Sequence, residues 1–331
     1  MLINHDNKFP NGTKLKKYFL NTTDSYHKYK LDSLGWEITL SIMLEDPRSP
    51  CRDILKKSDS FGDLLYDFLS TAIPIDRIQQ LIEIGGGYGY LMRDFLRRND
   101  RFSATMVDLS PFLLTRQQEA LRGFAVKFIQ EDFLELNNSI LCDIDLAILN
   151  EVIGDFPTAC EVSRNLLFLE FPEPEERLLQ EMRRIYKCYS ISPPVAESFA
   201  INTGAIQALE KLCIARVPYI YVSEHSCEAC VPEDLKGLMD LNPTGNPERI
   251  RLRGHNEYTI RFSDLEKVAT YFGYDTERGS YFDIISPVID DEVAFILRLG
   301  ASRIDRYEII QQFIEDLAKY EYLILSLPPQ I

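Results

Sequence analysis

The chain has 331 residues, of which 45% are hydrophobic, and it carries a formal net charge of −15 with a sequence pI of about 4.8. This length and apolar content suit a globular protein with one large core and a second lobe. The acidity argues against nucleic acid as a partner, because phosphate groups require a basic face. A run of about eighteen apolar residues, which a membrane span requires, is absent.

The N-terminus and the cysteines predict a cytoplasmic protein. Residues 1–6 have neither the charged-then-apolar pattern of a secretory signal nor the Arg-rich composition of a transit peptide. The seven cysteines are an odd number, and Cys142, Cys188 and Cys213 stand in apolar stretches, as reduced thiols do.

Residues 1–70 are predicted to form a helical cap beside a cofactor-binding domain. Apolar residues recur at helical spacing over residues 31–44 and 61–69, and Pro47 and Pro50 separate the two segments. We expect this cap to be able to close over the neighbouring domain.

The most specific local pattern is a glycine-rich turn at residues 81–89, Leu-Ile-Glu-Ile-Gly-Gly-Gly-Tyr-Gly. The acid is Glu83, and Gly85, Gly87 and Gly89 follow it, which predicts a buried strand, a tight turn and a helix. The dinucleotide pattern G-x-G-x-x-G fails at its third glycine, where Tyr90 stands. A carboxylate ahead of the glycines suits a cation such as S-adenosylmethionine, which has no phosphate for a helix N-terminus. The alternative is a turn that serves only close strand–helix packing.

Polar residues also end the next three predicted strands, at residues 103–108, 126–130 and 144–149. Asp108 stands about 20 residues after the turn, where an acid accepts hydrogen bonds from ribose hydroxyls. Glu131 and Asp132 are placed to accept from an adenine amino group, and Phe133 to cover the ring. Asn150, followed by Glu151, ends the fourth strand. Any one of these acids is ordinarily a solvated loop residue, but their joint occurrence at one sheet edge predicts a site.

Three segments resemble class I S-adenosylmethionine-dependent methyltransferases, and more narrowly the MidA-like family of protein arginine methyltransferases. They are residues 81–95, the segment Asp108-Leu109-Ser110-Pro111 with Gln117 and Leu121, and the loop 150–157, which is similar to the family's N-E-x-x-D-x-x-P pattern. The resemblance is good over residues 60–160 and weaker over 214–325. The chain departs from the pattern at Gly154, where the family has its loop aspartate, and Asp155 follows instead.

The resemblance implies a Rossmann-like α/β fold with a seven-stranded, mostly parallel sheet, and S-adenosylmethionine as cofactor. It also implies N-methylation of an arginine on a partner protein, in a family tied to assembly of respiratory complex I. A guanidinium stays protonated near neutrality, so a carboxylate must bind it bidentately and localise its charge. Glu151 is the candidate for this catalytic work with Asp155 as the second acid, and Asn150 is expected to hold the cofactor or the substrate. Glu151 as a helix cap or as a partner of a surface lysine is the alternative.

The rest of the chain is predicted to insert a substrate lobe and then to complete the sheet. The predicted domains are the cap at 1–70, the first part of the α/β core at 71–170, a helical substrate lobe at 171–213, and the remaining core at 214–331. Helices are predicted at 171–186, at 205–215, from a capping box at 263–266 to Gly273, and at 304–317. Strands are predicted at 218–223 and 279–285, with a last antiparallel strand at 322–327.

Two histidines are further candidates for the substrate side. His225 follows the predicted fifth strand beside Cys227 and Cys230, and His255 stands in a later loop. A single C-x-x-C pair is a weak zinc signal, so no metal is predicted, with zinc bound by these four residues as the alternative. His255 is either a general base for an oxygen nucleophile or a loop histidine with ordinary partners.

Three functions therefore compete. The first is N-methylation of an arginine on a partner protein. The second is O- or N-methylation of a small molecule of secondary metabolism, which the departure at Gly154 favours. The third is an assembly factor that binds S-adenosylmethionine without transferring its methyl group, against which the Asn150-Glu151 pair argues. The sequence does not identify the oligomeric state.

Overall fold

The computed structural model describes residues 18–34, 39–168, 176–299 and 305–328. Within this part of the chain the strands are β1 (Phe19–Asn21), β2 (Gln80–Ile84), β3 (Ser103–Asp108), β4 (Val126–Gln130), β5 (Leu146–Asn150), β6 (Thr158–Ser163), β7 (Ser198–Ile201), β8 (Tyr219–His225), β9 (Arg249–Arg251), β10 (Asn256–Tyr258), β11 (Asp275–Ser280) and β12 (Tyr320–Ser326).

The helices alternate with these strands along most of the chain. They are α1 (Asp24–Tyr29), α2 (Leu40–Met43), α3 (Pro50–Asp53), α4 (Phe61–Ala72), α5 (Tyr90–Arg98), α6 (Pro111–Ala120), α7 (Arg164–Phe168), α8 (Arg177–Cys188), α9 (Thr203–Ile214), α10 (Phe262–Tyr271), α11 (Tyr281–Ile285), α12 (Asp291–Leu299) and α13 (Asp305–Lys319). No described helix is both long enough and apolar enough to cross a lipid bilayer.

The main sheet has seven strands in the order β11-β12-β8-β5-β2-β3-β4. Its neighbours from β8 to β4 pair in parallel, whereas β12 is antiparallel to both β8 and β11. The order reverses between β2 and β5, which is the point where ligands bind in open α/β sheets. The predicted α/β class and the seven-stranded, mostly parallel sheet are confirmed.

Both faces of the main sheet are covered, because neighbouring strand residues point to opposite sides. On one face Leu81 and Ile148 pack into a core that includes residues of α4, α5 and α13. On the other face Ile82 and Leu149 pack into a second core with residues of α8, α9 and α10. The continuous apolar runs of the central strands follow from burial on both faces.

A second, smaller sheet ties the N-terminal segment to the middle of the chain. It has the order β1-β6-β7, and Leu20 pairs with Ala159 in antiparallel register. The chain enters β6 directly after the loop that follows β5, so this sheet holds α1 next to the carboxyl edge of the main sheet. The prediction of an all-helical segment at residues 1–70 missed β1, because pairing with β6 leaves no local periodicity to detect.

The remaining predicted elements agree with the structure in part. The strands at 103–108 and 126–130 and the helix at 61–69 are confirmed as β3, β4 and α4, and the last strand is antiparallel as predicted. Strand six at 279–285 is wrong, because β11 ends at Ser280 and the apolar residues after it form α11. The helix at 31–44 is also wrong where it is described: residues 31–34 are irregular and α2 is a single turn, while 35–38 lie outside the described residues.

The predicted capping box at residues 263–266 is wrong as well. Helix α10 begins one residue earlier, and Arg261 at its N-cap makes no capping hydrogen bond through its side chain. The hydroxyl of Ser263 instead donates to a carboxylate oxygen of Glu228 at 2.6 Å. The helices predicted at 171–186, 205–215 and 304–317 correspond to α8, α9 and α13. Residues 171–175 and 304 lie outside the described residues, and the division into four domains stays a prediction.

Candidate active site

A cavity of about 790 Å³ opens at the carboxyl edge of β2, β3, β4 and β5. Its volume lies within the usual range for sites that bind a small molecule or a cofactor. Eleven of the residues predicted from the sequence line it, namely Glu83, Gly85, Gly87, Asp108, Glu131, Asp132, Phe133, Asn150, Glu151, Asp155 and His255. Two predicted residues, Gly89 and His225, are not part of its lining.

The glycine turn forms the floor of the cavity. Gly85 has a φ of +64°, and a Cβ atom built there would lie 2.3 Å from Cγ2 of Val152. Gly87 has a φ of +51°, and a Cβ built there would point toward Leu34 on the cavity side. Both positions therefore favour glycine. At Gly85 the absence of a side chain permits the contact between the glycine turn and the loop that contains Val152, and at Gly87 it leaves the backbone open to the cavity. Gly89 lies further from the cavity and is the N-cap of α5.

Glu83 lies beneath this turn at the carboxyl end of β2. Its side chain is buried, and its Oε2 atom has no hydrogen-bond partner. Burial, with a further contribution from the charge of Asp108, raises the pKa of the Glu83 carboxyl to about 8. An unpartnered acid in a buried site fits a cationic group, and the ammonium of S-adenosylmethionine is such a group.

Asp108 is held in a fixed orientation at the end of β3. Its Oδ1 accepts a hydrogen bond from the backbone N–H of Ser110 at 2.8 Å, and its Oδ2 accepts one from the side-chain amide of Gln117 at 2.7 Å. The same amide donates to the carbonyl oxygen of Gly87 at 3.1 Å, which ties the acid to the glycine turn. Burial raises the pKa of Asp108 to about 6, while the two hydrogen bonds act in the opposite direction.

The residues that follow β4 line the far end of the cavity. Asp132 accepts a hydrogen bond from the backbone N–H of Leu134 at 2.9 Å, and Glu131 is exposed. Phe133 is buried in the core under the sheet, and the ammonium of Lys211 lies 5.7 Å from the centre of its ring. Phe133 also lines the cavity, so the part of its ring that faces the cavity is the part that an adenine ring can contact.

Glu151 begins the loop after β5 with a φ of +53°, a conformation that is strained for a residue with a side chain. Its Oε2 accepts hydrogen bonds from the backbone N–H of Leu40 at 3.0 Å and from the hydroxyl of Tyr320 at 3.2 Å. Its Oε1 accepts one from the amide of Asn150 at 3.2 Å. Burial is the main reason why the pKa of Glu151 is raised to about 8. The protein thus fixes this carboxyl from three directions.

Asn150 is fixed in turn by one residue of β8 and one of α11. Its Oδ1 accepts hydrogen bonds from the hydroxyls of Ser223 at 3.0 Å and Tyr281 at 2.9 Å. Its amide group therefore faces Glu151. The orientation of Asn150 follows from this network, and its amide has little freedom to turn toward another ligand.

Glu224 accounts for the departure of this chain from the loop pattern at Gly154. One of its carboxylate oxygens accepts a hydrogen bond from the backbone N–H of Gly154 at 3.1 Å. A Cβ atom at Gly154 would lie 3.2 Å from the same oxygen and 3.1 Å from the carbonyl oxygen of Tyr258, which is tighter than ordinary packing. An aspartate at this position would crowd Glu224. The presence of Glu224 in this position therefore requires a residue without a side chain at position 154.

Asp155 lies in a group that local sequence patterns did not reveal. Its Oδ1 atom is 3.0 Å from Nε2 of His27 and 3.4 Å from Nε2 of His255. Glu257 Oε1 lies 3.3 Å from the same nitrogen of His255, and the ring of Tyr26 stacks on the His255 ring at 4.3 Å. Burial lowers the pKa of His255, whereas for His27 the nearby carboxylate of Asp155 outweighs burial and raises it. No motif surrounds His27 in the sequence, so only the pairing of β1 with β6 brings it here.

The four residues considered as an alternative zinc site do not lie together in the structure. They are His225, Cys227, Cys230 and His255. His225 lines an adjoining cavity, where its ring packs on Tyr320 with the ring centres 3.9 Å apart. Cys227 is buried and its thiol contacts the carbonyl oxygen of Ile260, whereas Cys230 is exposed. Among the described residues, His255 is grouped with His27 and Asp155 at metal-ligand distances, and not with the two cysteines.

Part of the chain matches a known protein family. Residues 68–170 match the family model described as "Putative S-adenosyl-L-methionine-dependent methyltransferase", and they contain the glycine turn and the loop after β5. The protein is an S-adenosylmethionine-dependent methyltransferase. No curated protein gives a significant sequence match to this methyltransferase.

Solved structures similar to this methyltransferase have low sequence identity. A methyltransferase from Mesorhizobium loti is 12% identical, with a TM-score of 0.45, over 80% of this chain and 98% of its own. The plantazolicin methyltransferase BpumL in complex with SAH is 12% identical, with a TM-score of 0.43, over 88% and 95%. The methyltransferase domain of bacterial CtHen1 is 16% identical, with a TM-score of 0.42, over 81% and 100%.

Proposed function

We propose that this methyltransferase transfers the methyl group to a guanidinium nitrogen of an arginine on a partner protein. The observation that carries the proposal is the charge of the cavity. Among the described residues that line it, ten have carboxyl side chains, and only Lys30 and Arg253 are lysine or arginine. A cationic cofactor leaves most of this negative charge uncompensated, so the cavity favours an acceptor that is itself a cation.

Glu151 and Glu224 are the carboxyl groups that we assign to the acceptor. They stand at the carboxyl ends of the paired strands β5 and β8, and both line the cavity. Asp155, which the sequence suggested as the second acid, faces His27 and His255 instead. Two carboxylates are the arrangement that binds a guanidinium in a defined orientation through its parallel N–H groups.

The residues of the chain would contribute binding, orientation and proton transfer. When bound, S-adenosylmethionine supplies a methyl group on a positively charged sulfur, and its departing thioether is neutral. Glu83 would pair with the cofactor's ammonium, and Asp108 would accept hydrogen bonds from its ribose hydroxyls. Glu151 would localise the guanidinium charge away from the attacking nitrogen, and its pKa of about 8 suits a group that accepts the released proton near neutral pH. Positioning of this kind contributes up to about 7–11 kcal/mol to catalysis.

A small-molecule acceptor is the second candidate, and one observation favours it. Residues of the N-terminal segment, among them Thr23, Tyr26, Leu31 and Leu34, form part of the cavity lining. A cavity covered in this way would admit a small acceptor more readily than a segment of a folded partner, unless the N-terminal segment opens. The third candidate is binding of the cofactor without transfer. Any measured methyl transfer would exclude it.

The test is transfer of labelled methyl groups to arginine-containing peptides, compared with the same peptides carrying lysine in place of arginine. We expect label on the arginine peptides only. Glu151→Gln keeps the shape of the side chain and removes its charge, so transfer should fall by at least about hundredfold. The affinity for S-adenosylhomocysteine, measured by calorimetry, should stay within about threefold of the original.

The matched control is Glu119→Gln, because Glu119 is an exposed acid on α6 that pairs with Arg116 outside the cavity. This variant should transfer methyl groups like the original protein. Label on hydroxyl-bearing small molecules and none on the arginine peptides would overturn the arginine proposal in favour of the second candidate. Full transfer by Glu151→Gln would overturn the role of that carboxylate.

A further inference from the structure

Three side chains from distant parts of the sequence converge in the cavity. His27 lies on α1, Asp155 lies in the loop after β5, and His255 lies in the turn between β9 and β10. One ligand atom of each lies within 4.8 Å of the other two. The side chains are only 16%, 17% and 8% exposed in the same order, so water has limited access to them.

The contacts between these atoms are close without being hydrogen bonds. His27 Nε2 and Asp155 Oδ1 face each other at 3.0 Å, but neither atom has a hydrogen-bond partner of acceptable geometry. His255 Nε2 is 3.4 Å from the same oxygen. His255 Nε2 has Glu257 Oε1 as its partner at 3.3 Å. Buried polar atoms are nearly always paired, so the unpaired atoms of His27 and Asp155 call for a group that both can bind, and His255 Nε2 lies within reach of the same group.

The separations match those between ligands of one metal ion. In a tetrahedral zinc site with bonds of about 2.0–2.2 Å, neighbouring ligand atoms lie about 3.3–3.6 Å apart. The contacts of His255 Nε2 with Asp155 at 3.4 Å and with Glu257 at 3.3 Å have this length, and the His27 contact is only slightly shorter. Glu257 Oε1 stands outside the group of three mutually close ligand atoms, so Glu257 would become the fourth ligand by a rotation of its side chain when the ion binds.

We propose that His27, Asp155 and His255, with Glu257 as the fourth ligand, bind a zinc ion in the intact protein. Two imidazoles and two carboxylates are a donor set that zinc accepts, and the ion would compensate two of the cavity's carboxylates. The site would be structural, because the ion would join the N-terminal segment, the loop after β5 and the β9–β10 turn over the cofactor. Glu151 and Glu224 stay available to the acceptor.

Contacts around the ligands support a built site. The ring of Tyr26 stacks on His255 at an angle of 18°, which limits the rotation of that imidazole. The hydroxyl of Thr23 donates to the backbone carbonyl of Asp155 at 2.9 Å, which holds the loop against the N-terminal segment. Outer contacts of this kind orient metal ligands and raise the affinity of a site.

The experiment is calorimetric titration of zinc chloride into full-length protein that has first been dialysed against a chelator. We expect one zinc ion per chain, and we expect His27→Ala and His255→Ala each to weaken binding by at least about hundredfold. His225→Ala should bind zinc like the original protein, because His225 lies in the adjoining cavity. Glu257→Gln should weaken binding less than loss of either histidine.

Two further measurements test the proposal on the original protein, in case a histidine variant fails to fold. Cobalt in place of zinc should give the visible absorption of a tetrahedral site in the original protein. Zinc should also slow cleavage by trypsin after Lys28 and Lys30, which flank the end of α1. Absence of stoichiometric zinc binding, or binding that His27→Ala leaves unchanged in a folded variant, overturns the proposal. Methyl transfer and S-adenosylhomocysteine binding are measured separately, so failure of the zinc site does not count against the proposed reaction.

Discussion

At the scale of a single residue, the buried carboxyl of Glu83 is expected to make cofactor affinity depend on pH. Its pKa of about 8 means that most molecules carry it protonated at neutral pH when no cation is bound. Pairing with the cofactor's ammonium requires the ionised form, so binding releases a proton and affinity rises with pH. Between pH 6 and pH 7.5 the ionised fraction of a group with this pKa grows about 25-fold, and the cofactor affinity should grow by about the same factor.

Calorimetry with S-adenosylhomocysteine in two buffers of different ionisation enthalpy checks this expectation, because it counts the released protons. Glu83→Gln should bind more weakly at pH 7.5 and should lose most of the pH dependence. An unchanged pH dependence in this variant would show that Glu83 does not pair with the cofactor.

The residues of the cofactor end could be predicted from the sequence because each of them follows a strand. Glu83 and Asp108 stand next to apolar runs that mark β2 and β3, and the parallel sheet then brings them to one edge. His27 and Glu257 could not be found in this way. They lie on short elements, and they reach the cavity only through the pairings of β1 with β6 and of β9 with β10.

At the scale of an element, the glycine turn and the loop after β5 are packed as one unit. An alanine at Gly85 would meet Cγ2 of Val152 at 2.3 Å and would also adopt a φ of +64°. The left-handed conformation alone costs about 1–2 kcal/mol, and the clash adds about 1–3 kcal/mol. We therefore expect Gly85→Ala to lower the free energy of unfolding, measured with urea, by about 2–5 kcal/mol.

The chain offers a matched control for this substitution. Gly123 has a φ of +93°, but nothing lies within 4 Å of a Cβ built there. Gly123→Ala should therefore lose only the conformational part. Equal losses in the two variants would mean that Val152 moves aside freely, and that the two loops are not coupled.

One element that sequence patterns missed, β11, is held by charges. β11 is an edge strand that is exposed or half-buried throughout, so it has no alternating apolar pattern. Arg278 holds it by donating hydrogen bonds to the carboxylates of Glu321 on β12, Glu266 on α10 and Glu228. The apolar residues that suggested a strand at 279–285 belong to α11, which packs against α4 and α13. Ion pairs between distant residues leave no periodic signal, whereas burial on both faces made the central strands predictable.

At the scale of the whole molecule, the negative charge of −15 is concentrated in part around one cavity. The charge of Asp108 acts on the carboxyl of Glu83, and the charge of Glu224 acts on the carboxyl of Glu151. Burial is the first cause of both raised pKa values, and the neighbouring acids add to it. An empty cavity is therefore a source of instability, which a cationic cofactor, a cationic acceptor or a metal ion would each relieve.

This arrangement fixes the sign of the pH dependence of stability in the cofactor-free and metal-free protein. A carboxyl whose pKa is raised by folding binds more protons in the folded state than in the unfolded state. Its contribution to stability is fully present below the unfolded value of about 4.5 and is lost as the pH rises through the folded value of about 8. Each unit of raised pKa corresponds to about 1.4 kcal/mol.

Urea denaturation in the presence of a chelator should therefore give a free energy of unfolding that falls from pH 5.5 to pH 8.5. Glutamine is always neutral, so the double variant Glu83→Gln and Glu151→Gln should lose much of this slope and should be more stable than the original protein at pH 8.5. Added S-adenosylhomocysteine should also reduce the slope, because its ammonium favours the ionised form of Glu83. Stability that rises over this pH range in the original protein would mean that both carboxyls are already ionised and paired in the empty cavity.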